Sequence, residues 1–250
     1  MPPLNPMPSV VLSTTELSRW GSIWLGTTGW ETGKPLKNPN KFDKKQAMDF
    51  GAGFIDPAIA DPLSVMLGGI PIINVPAVSP RNPGPLNPPA PDCVELGPTR
   101  VIGGIRPQYF DLVYRPDGLR IAYDSKTLND TNSVNKNWQN MINDLATEAS
   151  TVHTRFPYAL VVFVVFVPRL ALAPTQERDM INTLERICGR RSFQEANHLA
   201  EAISFVVWDP NTGHIDPAVP DPASPLRLER LNEIIYSVYL ERYKGLPPHS

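Results

Sequence analysis

Cysteine, histidine and surplus charge are all scarce in this chain. Its 250 residues include two cysteines and four histidines. Cys93 and Cys188 stand far apart with no framework spacing, which argues against a disulfide scaffold and fits a reducing cytoplasm. Lysine and arginine number 23 against 25 aspartates and glutamates, a net charge of −2, so the whole molecule is not an electrostatic glove for nucleic acid. Room is left for a local basic face or a charged cleft in a neutral body. Long apolar runs are also missing: the longest, YALVVFVVFV at 158–167, is far too short for a membrane helix. The opening MPPLNPMPSVV has no basic stretch followed by an apolar core, so no signal peptide is expected.

Proline is the residue in excess. There are 29, more than twice average usage, concentrated in the first eight residues, in 57–98 and in 207–225, where they describe arms and loops rather than a core. Between these stretches the hydrophobic pattern is regular. The spacing predicts a first helix over 13–25, capped by Ser13 or Thr14, with Leu17, Trp20, Ile23 and Trp24 on one face. Residues 26–50 read as irregular, Pro62 to Leu67 as a helical turn closing on Gly68 and Gly69, and 71–98 as a long loop or arm. Strands are expected at 100–105, 108–114 and 119–125, the last two joined by a turn at 115–118. A helix over 135–155, with Trp138, Met141, Ile142, Leu145, Ala149, Val152 and Phe156 on its apolar face, leads into a buried strand at 158–167. Beyond it come helices at 175–188 and 192–200, a strand at 202–208 and a last helix at 225–243. This order argues for one mixed α/β domain with a central sheet between helices: N-terminal helix and Pro-rich arms (1–94), core (95–168), and C-terminal helices and strand (169–250).

Polar chemistry gathers on FDLVYRPDGLRIAYDSKTLND, residues 110–130. Counting back from a two-residue turn at Asp117 and Gly118, Pro116 pairs with Leu119 and Asp111 falls opposite Asp124. Strand alternation puts Asp124 and Lys126 on one face and Ser125 on the other. Two carboxylates side by side repel, and burying them unpaired is costly. A divalent cation resolves the conflict; hard oxygen ligands suit Mg2+ or Mn2+ rather than zinc. Lys126 then sits where it can orient a metal-bound water or help deprotonate it. A D-x-K triplet alone is common, and by itself describes a surface ion pair worth at most about 1 kcal/mol.

With Pro107 and Asp111 as one half and Asp124-Ser125-Lys126 as the other, this stretch resembles the signature of the PD-(D/E)XK nuclease superfamily, with three residues separating the proline from its aspartate. The resemblance covers roughly 95–168 and implies an αβββαβ core, with the remaining chain as the elaboration seen in type II restriction endonucleases. It implies that Asp111 and Asp124 hold Mg2+, with Mn2+ able to substitute and the backbone carbonyl of Ser125 as a third ligand. Lys126 would position a water that displaces the 3′ oxygen and leaves a 5′-phosphate. Many members add a glutamate from the preceding helix; Glu95 is nearest in sequence, with Glu16 and Glu31 further upstream. The expected function is a sequence-specific double-stranded DNA endonuclease, homodimeric, in a bacterial or archaeal cytoplasm. Alternatives are a repair or mobile-element nuclease on the same core, or a non-catalytic nucleic-acid or protein-binding module.

Other polar residues read two ways. In KTLNDTNSVNKN at 126–137, Thr127, Asn129, Asn132, Ser133, Asn135 and Lys136 suit contacts to DNA, as do Arg190 and Arg191, and each equally suits a solvated loop. Glu195-x-x-His198 has ligand spacing without a second copy, and His153 and His214 read as structural. Trp20, Trp24 and Trp30 offer a base-stacking platform or core packing. The last helix, apolar on more than one side, is a candidate dimer surface.

Overall fold

A computed structural model describes residues 4–26, 40–79, 81–132 and 134–249. Trp30, Glu31 and Ser133 lie outside the described residues. The chain forms a six-stranded mixed sheet flanked by helices, with strands in sequence order from edge to edge. β1 (Ile72–Asn74) runs parallel to β2 (Val94–Ile102); β2, β3 (Pro107–Tyr114) and β4 (Ile121–Thr127) form an antiparallel meander; β5 (Leu160–Pro168) and β6 (Ala202–Trp208) continue parallel to β4. Every residue of β5 and β6 is buried, as near-continuous Val, Ile and Phe runs are when a parallel sheet is covered on both faces. The outer side of β6 is sealed by the 215–226 segment, where Leu226 accepts from the Phe205 amide at 2.9 Å and Asp216 donates to Val207 at 2.8 Å.

Helices follow the hydrophobic stripes. α1 (Thr14–Trp24) starts at Ser13, whose hydroxyl accepts from the Glu16 amide at 3.3 Å. α2 (Lys44–Phe50), closed by a reciprocal Asp43 and Gln46 capping box, passes through a π-helical turn (Gly51–Ile55) into α3 (Asp56–Met66). α4 (Val134–His153) packs on β5, α5 (Pro174–Arg186) packs on α4, and α6 (Leu228–Tyr243) lies on β5 and β6.

Several expectations need correction. Residues 44–50 are helical rather than irregular, and the short turn expected at Pro62 is the end of a helix that starts at Asp56. Pro57 lies in the first α-helical turn after the π-helical segment. The 71–98 arm contributes β1 and the first half of β2, disguised by a bulge between Leu96 and Thr99. Gly97 has φ +118 there, and a Cβ on it would lie 2.8 Å from the Val75 carbonyl. Residues 192–200 form turns, not a helix. One side of α6 is used inside the chain, where Leu231, Ile235, Val238 and Tyr239 are buried, while Ile234, Tyr236 and Leu240 are half-buried. Among the described residues no helix is long and apolar enough to cross a membrane.

Candidate active site

The site lies where β3 and β4 part. Their ladder pairs Tyr114 with Ile121, Val113 with Ala122 and Leu112 with Tyr123. The same count carries Asp111 opposite Asp124, although the strands are joined by a longer loop than a two-residue turn. Past Leu112 the two strands separate while β4 stays paired with β5 as far as Thr127. Asp111 spans the opening: its Oδ2 accepts from the Ser125 amide at 2.9 Å and the Ser125 hydroxyl at 3.1 Å.

Around that opening four elements deliver ionisable groups. Asp124, buried on β4, accepts from Lys126 Nζ. Lys126 also donates at 3.0 Å to Glu148 Oε1 on α4, and Gln108 Nε2 on β3 donates to the same oxygen at 2.9 Å. From α3 comes Asp56, 2% exposed, which accepts from the Tyr123 hydroxyl at 3.3 Å. Helix and strand meet closely here: a Cβ on Gly51 would lie 3.3 Å from Ser125 Oγ. A cleft of about 840 Å³ opens onto Asp56 and Asp111, walled by Trp20, Met48, Phe54, Leu96 and Pro98.

Electrostatics follow from this crowding. Burial, and then the Asp111 charge, hold the Asp124 carboxyl well above the usual carboxylate range against the opposing pull of Lys126. Burial and Asp111 do the same to Asp56, with hydrogen bonds from Ser125 and Tyr123 working the other way. Burial alone would favour a neutral Lys126, but Asp124 and Glu148 outweigh it and push the ammonium value up. Lys126 is therefore a cation and a donor in this arrangement.

Among the described residues no group of three or more His, Cys, Asp or Glu side chains is arranged to hold a metal ion. Mg2+ asks for less, because it keeps several waters and is held through one or two carboxylates. Asp111 and Asp124, crowded together with one carboxyl pushed toward protonation, fit that requirement. Glu148 Oε2, buried without a hydrogen-bond partner, marks a further donor-hungry position in the cluster.

The chain matches no protein-family model, no curated protein and no solved structure. What the cluster can do is decided by its own geometry.

The remaining candidates divide. Glu95 does not join the cluster: it is fully buried on β2, and Arg115 clamps both its oxygens at 2.6 and 2.8 Å. The acid that a helix brings to Asp111 is Asp56 instead. Glu16 lines the cleft and pairs with Arg19 at 3.4 Å. Thr127 ends β4 and accepts from Asn129 at 3.1 Å, while the Asn129 carbonyl accepts from Trp24 Nε1 at 2.5 Å. Asn132, Asn135 and Lys136 are exposed beyond it, Asn135 accepting from Gln176. Arg190 is a correction: it is fully buried, bonded to Glu201, Pro157 and Phe193, and cannot reach a phosphate. Arg191 is exposed. Glu195 caps its own turn through the Arg191 and Ser192 amides at 2.6 and 3.1 Å. Trp20 and Trp24 are core residues, and His153 is buried against Glu201.

Sequence reasoning missed Asp56 and Glu148. Asp56 directly precedes the proline-rich stretch that begins at Pro57 and falls in no element that the sequence pattern named. Glu148 carried a usable signal: an acid set among Leu145, Ala149 and Val152 on the apolar stripe of a helix is expensive to bury and so wants a partner.

Proposed function

We propose that the protein is a metal-dependent endonuclease that cuts double-stranded DNA at specific sequences, in the manner of type II restriction enzymes of the PD-(D/E)XK superfamily. The observation that carries this reading is the convergence of Asp111, Asp124 and Lys126 where β3 and β4 separate. The order α3, β1, β2, β3, β4, α4, β5, with β5 parallel to β4, supports it, because apart from the three-residue edge strand β1 it follows the αβββαβ succession that the sequence resemblance implies.

In this reading Asp111, Asp124 and the Ser125 carbonyl hold Mg2+, which when bound supplies an acidified water and offsets charge at phosphorus. The side chains do the rest. Lys126, kept cationic by its two carboxylates, offers N–H donors to the attacking water or to a phosphate oxygen. Asp111 ties the parted strands together through Ser125, which fixes the separation between its own carboxylate and that of Asp124. Asp56 takes the part of the helix-borne acid. Asn132, Asn135 and Lys136, which are exposed, would meet the DNA backbone or base edges in this reading. Cutting both strands of a palindromic site calls for two copies about a two-fold axis.

Digestion of plasmid and phage DNA by the purified protein, with Mg2+ and with chelator, beside Lys126→Ala, tests the reading. Discrete fragments that need the metal and vanish in the variant are expected. Folded wild-type protein that leaves all DNA intact with both Mg2+ and Mn2+ overturns it.

A further inference from the structure

Lys126 has two carboxylate partners, and the endonuclease reading gives only one of them, Asp124, a function. Glu148 is the other. It comes from the middle of α4, is 4% exposed, and stands among apolar neighbours where an unneeded charge would be strongly disfavoured. Its hydrogen bonding is lopsided. Oε1 accepts from both Lys126, at 3.0 Å, and Gln108, at 2.9 Å, while Oε2 is buried with no partner. Gln108 is itself on β3, three residues before Asp111, so the strand that carries one carboxylate of the site also braces the acid that reaches the lysine.

We propose that Glu148, oriented by Gln108, is the positioning residue for Lys126: it shares the ammonium with Asp124, so that Asp124 keeps the capacity to take a divalent cation. The inference rests on the endonuclease reading and adds to it a residue outside the D-x-K signature. An ammonium with only one acceptor in a buried site stays on that acceptor. Given a second carboxylate on the far side, it can swing toward Glu148 when a cation arrives at Asp124, and the empty Oε2 is where a second N–H can go. The lysine would thereby stay close to a bound cation without competing for its ligand. Glu148 contacts no reacting atom in this scheme; it acts only through Lys126.

The test is a double-mutant cycle read by metal binding rather than by cleavage. Free Mn2+ is followed by electron paramagnetic resonance during titration of the wild type, Glu148→Gln, Lys126→Met and the double variant. Glutamine keeps the volume and an acceptor for Gln108, and melting curves establish that each variant is folded. With Lys126 present, Glu148→Gln is expected to weaken Mn2+ binding about tenfold, because the released ammonium settles on Asp124; with methionine in its place the loss is about twofold or less. Single-turnover cleavage should show the same coupling, with KM for DNA unchanged. Equal weakening in both backgrounds, or none in the wild type, overturns the positioning role and leaves the endonuclease reading standing. Folded wild-type protein that binds no Mn2+ at all overturns both.

Discussion

Replacing Asp111 by Asn isolates the electrostatics of the cluster. Asparagine still offers an oxygen to the Ser125 amide and hydroxyl, which lie 2.9 and 3.1 Å from the native carboxylate. What disappears is the charge that helps to hold Asp56 and Asp124 above the usual carboxylate range. Like charges about 4 Å apart repel by roughly 4 kcal/mol at an effective dielectric of 20. Both neighbours can relieve part of that by taking up a proton, so a gain of about 1–2 kcal/mol is expected at neutral pH in chelator. For a chain of this size that raises the melting midpoint by roughly 2–8 °C. The pH dependence has a defined sign. Folded values above the unfolded ones mean that the folded state binds protons more tightly, so the contribution of Asp56 and Asp124 falls as pH rises past the ordinary carboxylate range. Asp111→Asn flattens that decline. Mg2+ reverses the ranking, because saturating ligand at about 100 times its Kd adds roughly 2.7 kcal/mol to whichever protein binds it. Differential scanning fluorimetry with EDTA and with Mg2+ measures both effects. An Asp111→Asn variant that melts below the wild type in EDTA, or gains as much from Mg2+, would refute the idea that these charges are held in place for a cation.

Glu95 and Asp56 should separate cleanly. Glu95→Gln leaves Arg115 without its buried partner and costs about 3 kcal/mol of stability while metal-dependent cleavage persists below the melting point; Asp56→Asn slows cleavage at least about tenfold without lowering that point. Loss of cleavage in a folded Glu95→Gln protein would reverse the assignment. Glu201 meets Arg190, Arg242 and His153 at 3.0, 2.8 and 3.2 Å with no solvent exposure. Burial alone would raise its carboxyl, but His153 and Arg242 bring it below the usual range, so its contribution is present above the unfolded value and lost as pH falls through the folded one. Glu201→Gln should therefore cost about 3–5 kcal/mol at neutral pH and weaken acid sensitivity; unchanged acid unfolding would contradict the network. Trp24→Phe removes the indole bond to the Asn129 carbonyl and should cost about 1 kcal/mol, with faster amide exchange in 128–132 by mass spectrometry. Exchange that stays the same would mean that α1 does not anchor the segment following β4.

The hairpin was legible because register depends on a simple count. A turn centred at Asp117 and Gly118 gives the same pairing as the longer 115–120 loop, in which the Arg120 amide closes on Tyr114 at 2.9 Å, so the count brings Asp111 to the Asp124-Ser125 end of β4 either way. β5 and α4 were legible from one-sided or continuous apolar patterns. Elements whose local signals conflict with their fold were not. Gly97 and Pro98 break the pattern of β2 because they build a bulge, and Pro57 and Pro62 mask a helix that tolerates them through its tertiary packing. Arg190 looked like a surface cation because sequence offers no view of Glu201, its partner across the fold. Asp56 and Glu148 reach the site from helices before and after the hairpin, and only tertiary packing brings such distant positions together.

The two wholly buried strands carry a cost during biosynthesis. β5 and β6 emerge from the ribosome before α6, which later lies across both of them, and the parallel pairing of β4 with β5 and of β5 with β6 is a long-range and slow arrangement. Until α6 arrives, a nascent chain holds a Val- and Phe-rich surface open to other chains, the kind of intermediate that chaperones retain. Shortening α6 should therefore be felt first as insoluble protein, before any loss of activity could be measured.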